Sequence, residues 1–418
     1  MENLAYIFTQ IVQYTVLILA LYFFVVEAFG WIRIREPKGK EIKPEKRFAL
    51  IASAHNEEAV IGQLVDSLNQ LDYPKELYDI YIIADNCSDK TAQIAKDHGA
   101  NVFVRFNNTL KGKGYALEWC FEKLFQSEKE YDVFCIFDAD NLVEKNFLLE
   151  MNKQFKKGYK AVQGYIDSKN PFDSWISLSY SIGFWMSNRL YQLPRYNLGL
   201  SCGLSGTGFG VTVDTIKKLG WGATCLTEDL EFTAKLIMNK EKVAFAYDAI
   251  IYDEKPLTLI QSWKQRKRWM QGFADCTARF FIPLMKQAIK NRDICSFDIA
   301  LYMIQPIRII LFGIIALVGY LSYIAEPGTF FTMSEMMPTH IFSIIILIQL
   351  LYGPLVIIAE HKANWKVLLG FVIYPFYNLT WVPITIQGMI DADKKEWSHT
   401  AHTRQIDISE ITNAEKIK

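Results

Sequence analysis

The chain has 418 residues, long for one soluble domain, with 51% hydrophobic, 14% aromatic and 22% charged residues. Its 45 basic and 45 acidic residues cancel, so no global basic field points to nucleic acid. Seven scattered cysteines form no CxxC pair, which argues against a zinc cage or a disulfide framework and suits a reducing compartment.

The first predicted element is an apolar run over residues 7–29, long enough at ~1.5 Å per residue to cross a ~30 Å hydrocarbon core. It lacks the basic start and cleavage site of a signal peptide and reads as a membrane helix. Arg33, Arg35, Lys38, Lys40, Lys43, Lys46 and Arg47 follow it. By the positive-inside rule they set the N-terminus outside and the next domain in the cytoplasm.

From Arg47, strand-length apolar runs (residues 48–53, 80–84, 102–105, 133–137 and 161–164) alternate with amphipathic segments (59–69, 90–97 and 115–125). This predicts an α/β domain around a mostly parallel sheet, with ligands at the carboxyl ends of its strands. Polar clusters stand at those ends: His55-Asn56-Glu57-Glu58, Asp85-Asn86-Cys87-Ser88-Asp89 and Asp138-Ala139-Asp140. Carboxylates at Asp138 and Asp140 suit Mg2+ or Mn2+, which prefer oxygen ligands shared with phosphate. Lys111-Gly112-Lys113-Gly114 can clamp a diphosphate through an ammonium and backbone N–H groups.

The aromatic stretch 171–200 suits an interfacial helix. Next, Leu204-Ser205-Gly206-Thr207-Gly208 lets backbone approach a sugar, and Thr227-Glu228-Asp229 offers a carboxylate as general base. In the amphipathic stretch 257–281, Gln265, Arg268 and Trp269 share one helical face, with a guanidinium for phosphate and a ring for sugar. Each feature alone has a plainer reading: a solvated turn, a glycine turn, a helix cap, or a basic helix on anionic lipid. Their company carries the functional reading.

Further apolar runs cover residues 304–325, 340–359 and 366–390. Pro375, Asn378 and Pro383 mark the last as broken, re-entrant or interfacial, with the tail internal.

In this order the motifs resemble the family 2 membrane glycosyltransferases, the group of cellulose, hyaluronan and chitin synthases, over about residues 47–269. The resemblance implies a GT-A fold: a Rossmann-like, mostly parallel sheet with interface helices and a small transmembrane bundle. The expected layout is a membrane helix (1–32), a cytoplasmic catalytic domain (33–255), interface helices (256–298), membrane segments (299–390) and a cytoplasmic tail (391–418). Carried over by position, Glu57, Asp85, Lys113, Asp138, Arg268 and Arg404 bind the donor nucleotide and Asp140 the metal. Asp229 is the base, while Gly206, Thr207, Glu228, Gln265 and Trp269 face the acceptor.

The implied activity is inverting polymerisation of a β-linked glycan from a UDP-sugar at the plasma membrane, with export of the growing chain. UDP-glucose and a β-glucan lead, with mixed 1,3 and 1,4 linkage among the options. Rival readings are a UDP-N-acetylglucosamine or hyaluronan-like synthase and a single-addition enzyme on a lipid acceptor. No obligate protein partner is implied. Trp397-Ser398-His399-Thr400 with Thr403-Arg404 resembles a stretched W-x-T-R tail motif, while His399 and His402 read simply as tail.

Overall fold

The computed structural model describes residues 4–34, 36–222, 224–394, 402 and 404–411; Trp397, Ser398, His399, Thr400 and Thr403 lie outside the described residues. Its centre is a sheet of strands β1 (Phe48–Ala54), β2 (Tyr78–Asp85), β3 (Asn101–Arg105), β4 (Val133–Asp138), β5 (Leu142–Val143), β6 (Ala161–Ser168), β7 (Phe209–Thr212) and β8 (Val243–Asp253). The spatial order is β3-β2-β1-β4-β7-β6-β8-β5. β3, β2, β1 and β4 run parallel, as do β6 and β8, while β7 lies antiparallel between β4 and β6. Chain order reverses between β1 and β4, so a crevice opens at their carboxyl ends.

Apolar β-branched and aromatic residues fill both faces of this sheet. After α1 (Leu4–Ala28) come α2 (Ile61–Asn69), α3 (Thr91–Asp97), α4 (Lys113–Phe125), α5 (Phe147–Lys156), α6 (Trp175–Ser187), α7 (Leu193–Asn197), α8 (Val213–Leu219) and α9 (Glu228–Met238). Ser174 opens α6 with a capping box, and Thr258 does the same for the long helix α10 (Leu259–Asn291). Gly272 lets α10 lie against the turn before α9. A Cβ there would stand 2.3 Å from Thr227 Oγ1.

The remaining helices are α11 (Ile294–Met303), α12 (Gln305–Ile324), α13 (Met333–Met336), α14 (Thr339–Ala359), α15 (Trp365–Leu379) and α16 (Trp381–Ile390). Among the described residues, four helical stretches are long and apolar enough to cross a membrane: Leu4–Trp31, Gln305–Ile324, His340–Ala359 and Trp365–Ile390. The last of these is broken at Thr380 and touches the central domain along its whole length. Gly370 packs on Leu178, and Tyr377 lies 5.8 Å from Tyr180. Thr380 accepts from Arg266 at 2.9 Å, Gln387 from Trp263 at 2.8 Å, and Asp391 pairs with Lys267.

Two buried ion pairs fasten the apolar helices to the central domain. Arg195 grips Asp298 on α11 through Nε at 2.7 Å and Nη2 at 2.9 Å, and Tyr22 of α1 donates to the same carboxylate at 2.9 Å. Glu360, just past α14, takes Arg189 at 3.1 Å and Tyr165 at 2.6 Å.

Candidate active site

One cavity of about 1640 Å3 opens at the strand ends and continues between the apolar helices. Its wall includes Glu57, Asp85, Lys113, Asp138, Asp140, Gly206, Thr207, Glu228, Asp229, Gln265, Arg268 and Trp269. Of the site residues expected from sequence, only Arg404 lies off this wall. Its guanidinium faces Asp173 at 3.5 Å, while its backbone N–H reaches Glu254.

At the end of β4, the Asp138 N–H donates to Thr207 Oγ1 at 2.9 Å and to Asn141 Oδ1 at 3.1 Å, which fixes the backbone that carries the carboxylate. The Thr207 hydroxyl itself donates to Asn141. Asp140 Oδ2 accepts from the Glu254 N–H at 3.0 Å. With Asp253, at the end of β8, these acids form a cluster whose carboxylate oxygens lie within 4.8 Å of one another. Burial, and then the nearby Asp140 charge, raise the Asp253 carboxyl against the pull of Lys255. Three converging oxygen donors fit a hard divalent cation.

Lys113, on the first turn of α4, donates to Asp138 and, at 2.6 Å, to the Gly206 carbonyl. Burial opposes its charge, but Asp138 and Glu228 raise its pKa. Gly206 adopts φ +78°, and a Cβ there would stand 3.6 Å from Asp229 Oδ2. The backbone is therefore open beside the expected base. Asp229 sits in the first turn of α9, its Oδ1 accepting from the Leu230 N–H at 2.8 Å. Burial, with Glu228 beside it, pushes the Asp229 carboxyl up to about 7. Burial raises Glu228 as well, against Lys113 and Arg268. A carboxyl poised near neutrality suits proton removal from a hydroxyl.

On α10, Gln265 Oε1 and Arg268 Nε are buried without a hydrogen-bond partner among the described residues. Polar atoms left this way on a cavity wall are groups that a ligand can satisfy. Trp269 stands in an aromatic corner, 6.0 Å from Tyr180 and 6.4 Å from Trp381. Asp85 reaches the wall, but its carboxylate is held by buried Arg105 at 2.6 Å.

Sequence reasoning passed over Asp253 and Glu254, and read His402 simply as tail. The first two follow the apolar run of β8, the same strand-end signal that singled out Asp138. His402 Nδ1 lies 2.9 Å from Glu57 Oε1. Burial opposes its charge, but Asp140 and Glu57 hold the imidazolium up to about 10. That contact joins positions 345 residues apart and is invisible to local pattern.

Comparison with known proteins agrees with this geometry. The chain is 29% identical over 291 residues to the probable glycosyltransferase YdaM of Bacillus subtilis, covering 67% of each chain. It is 28% identical over 287 residues to the β-monoglucosyldiacylglycerol synthase of Nostoc, covering 65% of this chain and 59% of that protein. To the poly-β-1,6-N-acetyl-D-glucosamine synthase of Staphylococcus epidermidis it is 27% identical over 284 residues, covering 67% of each. The matches thus span 59–67% of these relatives' lengths.

Among solved structures, the mannosyltransferase PcManGT of Pyrobaculum calidifontis, in complex with GDP-Man and Mn2+, superimposes with TM-score 0.61 at 14% identity. The match covers 93% of this chain and 99% of that one, and shows the shared GT-A fold. The family model described as "Glycosyltransferase like family 2" matches residues 44–272, more than half of the chain. The chain belongs to that glycosyltransferase family.

Proposed function

We propose that the protein is a membrane-bound inverting hexosyltransferase that builds a β-linked glycan from a UDP-sugar, with UDP-glucose the donor to test first. The observation that carries this reading is the continuity of the cavity. It runs from the acids at Asp138, Asp140 and Asp253, past Asp229 and Trp269, to Phe312, Ala316, Gln349 and Leu350 on α12 and α14.

In the proposed reaction Asp229 takes the proton of an acceptor hydroxyl. The freed oxygen attacks the anomeric carbon from the face opposite the nucleotide, the bond to UDP breaks, and an α-linked donor gives a β-glycoside. Lys113 and Arg268 meet the charge that gathers on the departing diphosphate. Asp138, Asp140 and Asp253 would hold Mg2+ or Mn2+, which supplies further positive charge to the diphosphate when bound.

The inner wall supports a glycan over an acyl chain. Gln305, Gln349 and Asn378 present amides there, and Tyr302, Tyr374, Tyr377 and Trp381 present rings. An amide about 15 Å inside an apolar helix, as at Gln349, is costly without a polar ligand. The second reading, one sugar added to a lipid, draws on the apolar residues Ile309, Phe312 and Leu350 of the same wall and on the cyanobacterial relative's name.

For the membrane arrangement, α1, α12 and α14 cross while α15 and α16 lie along α6 and α10 at the cytoplasmic surface. Contacts of Gln13 and Tyr14 with Phe331 support placing the start of α1 and the loop after α12 together on the far side. Purified protein with radiolabelled UDP-glucose and Mg2+ or Mn2+ tests the whole. A glucanase-sensitive polymer is expected; only short glycolipid would sink polymerisation, and no sugar transfer from any UDP-hexose would sink the donor class.

A further inference from the structure

Cys225, four residues before Asp229, lies on the cavity wall, and its Sγ stands 3.5 Å from the Sγ of Cys276 on α10. The surrounding backbone builds this close approach. Arg268, Gly272 and Cys276 recur every fourth residue along one face of α10, and the bare backbone at Gly272 lets the turn at Thr227 lie against that face. Thr227 Oγ1 lies 3.5 Å from the Cys225 sulfur and 3.9 Å from the Cys276 sulfur. Both thiols are free.

The two sulfurs differ in access. Cys225 is half-buried and meets the cavity, whereas Cys276 is fully buried. The hydrogen bond with Cys225, and then burial, hold the Cys276 thiol well above the usual thiol range. Attack on an oxidant small enough to enter the cavity therefore starts at Cys225, with Cys276 waiting in contact behind it.

We infer that Cys225 and Cys276 form a reversible oxidation site, in which a hydroperoxide links the turn before Asp229 to α10 and halts sugar transfer. Cys225, having given up its proton, attacks one oxygen of hydrogen peroxide. The O–O bond breaks, the sulfur keeps that oxygen as a sulfenic acid, and the departing hydroxide takes the released proton to leave as water. The Cys276 sulfur then attacks the Cys225 sulfur, the S–O bond breaks, and the Cys276 proton leaves with the departing hydroxide as a second water. Two thiols and one peroxide give one disulfide and two waters, and a dithiol reductant reverses the link. Such a bond in a reducing compartment is transient, as a sensing device requires.

Bond formation draws the sulfurs together from contact distance and removes the hydrogen bond from the Cys225 thiol to the Thr227 carbonyl at 3.0 Å. One end pulls on the turn that sets Asp229, the other on the helix that carries Arg268. The effect on transfer rests on the proposed function, in which these two residues act on one reaction. A misplacement of about 1 Å there can cost about 100-fold in rate.

Full-length protein in detergent, treated with hydrogen peroxide, alkylated, digested and mapped by mass spectrometry, tests this, with transfer from UDP-glucose assayed on the same samples. The expected result is a peptide pair joined through Cys225 and Cys276, with transfer lowered at least about tenfold and restored by dithiothreitol. Cys276→Ala should keep wild-type transfer when reduced and lose the peroxide response; Cys225→Ser should form no linked pair. Absence of the linked pair after peroxide, or a linked pair with transfer unchanged, overturns the inference. A peroxide effect that persists in Cys276→Ala overturns it as well, since the loss then arises at another group. If reduced wild type transfers no sugar from any UDP-hexose, the proposed function fails, while the peptide map still decides the cysteine pair.

Discussion

Replacing Asp229 by Asn should abolish sugar transfer and, at the same time, stabilise the fold in a pH-dependent way. The wild-type carboxyl is raised from 3.8 to about 7 by burial and by Glu228. A carboxyl raised on folding favours the folded state fully below its unfolded pKa, and that advantage is lost as pH rises to the folded value. Asparagine carries no such dependence. Between about pH 5 and pH 8 the wild-type carboxyl passes through roughly two units of its shift, about 2.7 kcal/mol by linkage. Because the group lines an open, solvated cavity, roughly half of this is the expected net effect. The stability gap between Asp229→Asn and wild type should therefore widen by about 1–2 kcal/mol over that range. Loss of a general base should cut transfer by about 10²–10⁴-fold. Thermal melts in detergent at both pH values, with product counts alongside, check both arms. A gap that stays constant with pH, or a variant with near wild-type turnover, would rule out Asp229 as a raised carboxyl acting as the base.

Four further outcomes are expected. In wild type, kcat/KM for the donor should fall tenfold per pH unit below about 7, since only ionised Asp229 accepts a proton; a profile flat to about pH 5 would contradict this. Lys113→Met removes a charge that holds Asp229 down, so that acidic limb should move upward while UDP binding weakens, both readable by kinetics and titration. Asp253→Asn should weaken Mn2+ about tenfold or more, measured by metal titration with UDP present. Arg195→Met strands buried Asp298 and should cost about 3–5 kcal/mol in a detergent melt, with Arg195→Met/Asp298→Leu recovering most of it.

Much of the site was legible because strand ends in an α/β sheet are where chemistry collects. The runs before Asp85 and Asp138 announced β2 and β4, and the spacing of Gln265, Arg268 and Trp269 announced a face of α10. What escaped depends on tertiary pairing. β7 lies antiparallel between β4 and β6, and neither it nor the two-residue β5 carries a long apolar signature of its own. β8 does carry one, and following its run to the end would have found Asp253.

The partners of Asp85 and Thr207 escaped the sequence for a similar reason. Arg105 and Asn141, which occupy their polar groups, come from elsewhere in the chain. Prolines in the last apolar run signalled a break, and the chain does break there, at Thr380. Only the contacts of Gly370, Tyr377 and Gln387 revealed that this run lies along α6 and α10.

In the proposed mechanism distant carboxylates and one arginine gather around a single metal-bound diphosphate. Locating Mn2+ by its anomalous signal in crystals grown with UDP tests it most directly. The ion is expected about 2.0–2.3 Å from a carboxylate oxygen of Asp140 and from the diphosphate, with the Arg268 guanidinium on the same phosphates. An ion bound elsewhere, or a UDP that leaves Asp138, Asp140 and Asp253 untouched, would contradict it.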